Sequence, residues 1–128
     1  GTRTFRWAKI ARTSTIGPGP TTMIDVTVEN FETEVVAASM NVPVLVDFWA
    51  PWCGPCRMMA PQFEAAAREL EPHFRLVKVN TEEAQQLATQ LQIRSIPTLA
   101  VFKGGREVAR QPGAMGAADI VRWARSQV

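Results

Sequence analysis

The sequence is poor in cysteine, histidine and long apolar runs, and each shortage removes a class of function. Two cysteines in 128 residues, Cys53 and Cys56, are too few for a secreted disulfide scaffold, which uses several bridges to make up for a small core. One histidine, His73, together with that pair falls short of the four ligands a structural zinc site takes. No apolar run reaches the roughly 20 residues that a membrane-spanning helix needs. Acids are missing from residues 1–20, where Arg3, Arg6, Lys9 and Arg12 stand. With four of the 14 basic residues there, the remainder has ten against 12 acids, so the body carries no cationic surplus with which to hold a nucleic acid.

What is present is apolar substance. Hydrophobic residues make up 46% of the chain, enough for one real core, and the length fits one domain rather than two. The breaker cluster Gly17-Pro18-Gly19-Pro20 separates a leading stretch from the rest. Residues 1–22 are expected to be an unstructured arm, read first as an expression remnant or frayed terminus. The second reading is an Arg-rich, acid-free targeting remnant of mitochondrial type. Residues 23–128 are expected to form the domain.

Within it, Met23 to Val28 alternates like a short edge strand. Asn30 is placed to cap a helix with Phe31, Val35 and Met40 on one face. Val44 to Ala50 is apolar without alternation, the pattern of a central strand buried on both faces. A helix from about Cys53 to Leu70 would turn Met59, Phe63, Ala66 and Leu70 inward, with a kink at Pro61. Phe74 to Val79 reads as a second buried strand, and Glu82 to Leu91 as a helix. Thr98–Phe102 and Glu107–Arg110 make a hairpin about Gly104-Gly105, and a last helix starts near Ala117. The order β-α-β-α-β-α-β-β-α predicts an α/β fold, a mixed five-stranded sheet with helices on both faces.

Trp52-Cys53-Gly54-Pro55-Cys56 follows a buried strand and opens a helix, a context that turns a plain CxxC into a redox candidate. Cys53 at the helix N-terminus would have its thiolate stabilised by unpaired N–H groups and the helix dipole, and the preceding loop should expose it. Cys56, one turn inside, is close enough to close a small disulfide. Two buried structural thiols, or half a metal site, are the bland alternatives. Asp47 is the one charge in an apolar strand, and Lys78 interrupts another. They form either an ion pair fixing neighbouring strands or a desolvated acid relaying protons, and position alone does not choose. Ile96-Pro97 reads as an ordinary trans bond at a strand start. Trp49 and Trp52 read as ordinary aromatics, Gly113 as a turn glycine and His73 as solvated or capping.

Taken together, the blocks Val46 to Cys56, Pro61, Lys78-Val79-Asn80, Ile93 to Leu99, Phe102 to Gly105 and Gly113-Ala114 resemble the thioredoxin family over about residues 23–127. The resemblance implies the thioredoxin fold, a central mixed five-stranded sheet flanked by four helices. It implies protein-disulfide reduction with Cys53 attacking, Cys56 resolving, Asp47 as buried acid and Lys78 as its neighbour. It makes Pro97 a cis-proline and places Trp52, Gly54, Pro55, Ile96, Pro97, Gly113 and Ala114 on a substrate-docking surface. No cofactor is implied beyond the Cys53–Cys56 disulfide. The implied partners are disulfide-containing target proteins and an NADPH-dependent thioredoxin reductase, with a monomer in the cytoplasm or, as alternative, the mitochondrial matrix. An oxidase or isomerase, or a non-catalytic binding subunit of the same fold, is the alternative function. Ser95, where many members have Gly, and Pro112 depart from the pattern. Gln62 to Glu71 and Ile93 to Pro97 are similar to the thioredoxin-2 subgroup, but its N-terminal zinc segment has extra cysteines and residues 1–20 have none.

Overall fold

A computed structural model describes residues 24–128, so the expectations for residues 1–22, and for Met23 as a strand residue, lie outside the described residues. Among the described residues there are five strands, β1 Ile24–Asp25, β2 Val44–Trp49, β3 Arg75–Asn80, β4 Thr98–Lys103 and β5 Arg106–Pro112. Four helical segments join them: α1, made of Glu32–Ala37 and Ala38–Met40, then α2 Gly54–Leu70, α3 Gln85–Gln90 and α4 Ala117–Ser126. The sheet order is β1-β3-β2-β4-β5. β1 and β2 run parallel to β3, while β4 is antiparallel to both β2 and β5. The mixed five-stranded α/β fold is as the sequence led us to expect.

The absence of alternation in β2 has its cause here. Leu45 packs with Met59, Phe63, Ala66 and Leu70 of α2 and Ile120 and Ala124 of α4. Val44, Val46 and Phe48 face the opposite way, onto Phe31 and Val35 of the α1 segment and Leu87 of α3. A strand buried on both faces has no polar side to alternate with. α2 passes through Pro61 as one uninterrupted element.

Three local expectations are corrected. The first helix is not regular: Glu32–Ala37 winds in wide π-type turns and Ala38–Met40 tightens to a 3-10 turn. Phe31, Val35 and Ser39 are buried, while Met40 is turned out, 66% exposed. Asn30 does not cap α1; its side chain accepts the Thr27 N–H at 2.8 Å. α3 is shorter than the stretch read from the sequence, because Asn80 Oδ1 accepts the Glu82 N–H and holds the chain in a turn before Gln85.

The strand directions decide where a site can form. The C-terminal ends of β2 and β3, the start of β4 and the end of β5 all lie at one edge, since Phe48 pairs with Thr98 and Thr98 with Pro112. β2 leads into α2 there, at the carboxyl end of a parallel pair, the position where open α/β sheets place their sites.

Candidate active site

Ala50, Cys53 and Cys56 form a small buried cluster with Trp49 and Ile96 against it. The two cysteines are joined as a disulfide across a Cα–Cα distance of 5.2 Å. Cys53 is the N-cap of α2 in extended conformation, and its sulfur accepts the Cys56 N–H at 3.2 Å, as a serine oxygen would at the same position. Pro55 falls in the first turn, where its missing N–H leaves no bond unmade. Cys53 is nonetheless 5% exposed, not freely exposed as the sequence led us to expect, against 2% for Cys56. The loop presents Trp52 instead, at 67%. Any difference in behaviour between the thiols then rests on the helix N-terminus and not on access.

The Ile96–Pro97 segment lies beside the pair, and Gly113 is tied to that segment. The Ile96–Pro97 bond is cis, against the base-rate reading and in line with the resemblance; Glu71–Pro72 is also cis, which nothing in the sequence signalled. The Ile96 carbonyl lies 3.8 Å from the Cys53 sulfur, and the Gly113 N–H donates to the Pro97 carbonyl at 2.9 Å. Gly113 has φ of 99°, a conformation that L side chains rarely adopt and that a turn glycine supplies. A Cβ on Gly54 would meet nothing within 4 Å, so the fold itself leaves that approach open. The structure thus brings Trp52, Gly54, Pro55, Ile96, Pro97, Gly113 and Ala114 to one edge of the sheet.

Asp47 points with Leu45 to the face covered by α2, as β-strand alternation requires. It is fully buried, and neither carboxylate oxygen has a hydrogen-bond partner. Burial pushes its pKa from 3.8 up to about 7, opposed in part by the charge of Lys78. Lys78 is the parallel partner of Asp47 in β3, so the strands are neighbours as one reading required. Its ammonium, however, lies over the Trp49 ring, 4.4 Å from the centroid. In the sequence Trp49 reads as an ordinary aromatic and Arg57 carries no signal at all. The Arg57 guanidinium donates to the Pro51 carbonyl at 3.0 Å and ties the Trp52 loop to α2. Neither contact has a signature in residue spacing. His73 is exposed at the end of α2 and stands apart from the site. Among the described residues no group of three or more His, Cys, Asp or Glu side chains is arranged to hold a metal ion.

Known proteins are similar to this chain in sequence. The family described as thioredoxin matches over residues 22–126. Thioredoxin 1 of Nostoc sp. is 54% identical over 90 residues, covering 70% of this chain and 82% of the relative. The chloroplastic M-type thioredoxin of Chlamydomonas reinhardtii is 49% identical over 87 residues, or 68% of this chain and 62% of the relative. Thioredoxin of Haemophilus influenzae is 39% identical over 95 residues, covering 74% and 89%.

Proposed function

The chain belongs to the thioredoxin family and is a dithiol–disulfide oxidoreductase acting on protein disulfides, and from that premise we propose how its residues divide the work. The observation that carries the proposal is the Cys53 sulfur at the N-cap of α2, accepting the Cys56 N–H. In the reduced protein that N–H and the helix dipole favour a Cys53 thiolate. The thiolate attacks one sulfur of a target disulfide; the target S–S bond breaks, its other sulfur leaves as thiolate, and a mixed disulfide forms. Cys56 then gives its proton to Asp47, and the new thiolate attacks the Cys53 sulfur. The mixed disulfide breaks, the second target thiolate leaves, and two electrons have passed from this dithiol to the target.

Asp47 suits the acceptor role because a base works best with its pKa close to working pH. Lys78 limits how far burial raises that pKa. Trp52, Gly54, Pro55, Ile96, Pro97, Gly113 and Ala114 form the surface on which the target's chain lies. The Cys53–Cys56 disulfide is reduced again by an NADPH-dependent thioredoxin reductase. The protein works as a monomer in the cytoplasm and needs no bound cofactor. Among the described residues, no helix is long and apolar enough to cross a membrane.

The test is reduction of insulin with dithiothreitol as donor, compared with a reductase and NADPH as donor. Turnover in both, lost in Cys53→Ser, supports the reading. Oxidation of reduced target protein in preference to reduction would move the protein to the oxidase class, and no turnover with either donor would leave a binding subunit.

A further inference from the structure

We propose that Arg110, held by Glu107, is a positioning residue for target binding: it fixes the start of the Leu91-to-Pro97 segment whose far end presents Ile96 and Pro97. The inference rests on the docking role given to Ile96 and Pro97 above.

A break in the register of β5 makes the contact possible. Val101 pairs with Ala109 and Phe102 with Glu107, so Val108 is an extra residue, a β-bulge. Strict alternation would send residues 107 and 110 to opposite faces. The bulge returns them to one face, opposite Phe102 and Ala100, both of which belong to the core on the α1 and α3 side. There the Arg110 guanidinium is fixed by both Glu107 oxygens, from Nε at 2.6 Å and from a terminal nitrogen at 2.8 Å. Its remaining donors reach the Leu91 carbonyl at 2.7 Å and the Gln92 carbonyl at 2.9 Å.

Those two carbonyls lie at the C-terminal end of α3, where acceptors lack intrahelical donors. Gln92 turns the chain there with φ of 57°. Beyond it the hydrogen bonds of the segment fall at separated points, Ile93 N–H to the Ala88 carbonyl, Thr98 hydroxyl to the Ser95 carbonyl, and Gly113 N–H to the Pro97 carbonyl, while Ile93 and Ile96 pack against the core. Arg94 and Ser95 between them are exposed. An isolated surface ion pair contributes little. Here a planar fork joins a carboxylate to two main-chain carbonyls, which a lysine's single point of charge does not reproduce. The contact acts where the segment leaves α3, and the segment ends with the Ile96 carbonyl against the Cys53 sulfur.

The experiment compares the full chain with Arg110→Ala, Arg110→Lys and Glu107→Gln, using insulin and hydroxyethyl disulfide as substrates. Arg110→Ala should raise KM for insulin about five-fold, the scale of one lost hydrogen-bonded contact, with kcat close to the parent's. Turnover of hydroxyethyl disulfide, which has no chain to lie along the segment, and the reduction potential of the cysteine pair should not move. Arg110→Lys should fall between, and Glu107→Gln should show a smaller rise of the same kind. An unchanged insulin KM overturns the inference, as does an equal loss on both substrates or a shifted potential, which would mark a role in holding the fold. If Arg110→Ala does not fold, the other two variants decide by the same split. Failure of the parent to reduce insulin would count instead against the function proposed above.

Discussion

Replacing Asp47 by asparagine should stabilise the protein, and by an amount that depends on pH in a direction opposite to that of most carboxylates. In the folded chain burial holds the pKa near 7, against 3.8 as the reference value for an unburied Asp. Below that reference value both states carry the proton and the group makes no difference. As pH rises through the interval, the unfolded chain releases a proton that the folded chain keeps, so stability falls by about 1.4 kcal/mol per pH unit. Above about pH 7 both states are ionised and the penalty is constant, at about 4 kcal/mol over the whole interval. Asparagine removes the titration and leaves a polar group of similar size, so its advantage over aspartate should be largest at high pH. Between about pH 5 and about pH 8 the advantage should grow by about 3 kcal/mol, because only the part of the interval below pH 5 has been traversed at the lower value. Urea unfolding of the oxidised protein is the assay, since the closed disulfide keeps thiol titration out of the window. The Asp47→Asn midpoint should rise relative to the parent at both values, more at the higher. An advantage of equal size at both pH values would refute the reasoning, because it would mean that Asp47 does not titrate between them. The same variant should exchange disulfides more slowly, and equal rates for variant and parent from about pH 6 to about pH 9, limits that bracket ordinary thiol titration, would exclude the proton relay.

Cys56→Ser should attack target disulfides but fail to release them, giving a covalent adduct on a non-reducing gel that dithiothreitol removes; Cys53→Ser should form none. The opposite pattern would reverse the two roles. Phe63→Ala empties a fully buried site between α2 and the sheet and should cost about 3–5 kcal/mol in urea unfolding, and a loss below about 1 kcal/mol would mean that the core around Phe63 refills the space. Deletion of residues 1–20, which end in a breaker cluster and lack apolar periodicity, should leave melting temperature and insulin reduction nearly unchanged; a large loss of either would show that the arm serves the domain or its partner.

The parts of this protein legible in its sequence are those set by contiguous residues. The apolar run of β2 and the cysteine pair just after it place strand, turn and helix N-terminus within a dozen positions, and the structure follows them closely. The parts that were not legible depend on residues far apart. Ser39 is buried because its hydroxyl donates to the Val36 carbonyl and accepts the Gly105 N–H across 66 positions, and that contact, not any helix propensity, sets the irregular end of α1. The clamp of Arg110 needs a bulge that no alternation pattern announces. Ile96–Pro97 follows the resemblance where the base rate for X–Pro bonds points the other way, so local statistics were overruled by a whole constellation of residues.

The surroundings of Asp47 bear on the two readings that the sequence left even, a strut between strands and a proton acceptor. A carboxylate kept inside a sheet to fix its strands needs a partner, because the attraction and the hydrogen bonds of the pair are what offset its desolvation. Lys78 stands at the matching register position, yet its ammonium lies on the Trp49 ring and both Asp47 oxygens are without hydrogen bonds. As a strut, this acid destabilises the fold at neutral pH. As a proton acceptor, the same features are assets: a dry site raises the pKa toward neutrality, and free oxygens have room for a proton. On that reading Lys78 acts by charge, opposing part of the rise that burial causes. It follows that Lys78→Met should raise the Asp47 pKa further and move the pH dependence of exchange upward, whereas a simple strut would lose only stability. A pH profile of insulin reduction left in place by Lys78→Met would return Asp47 to the structural reading.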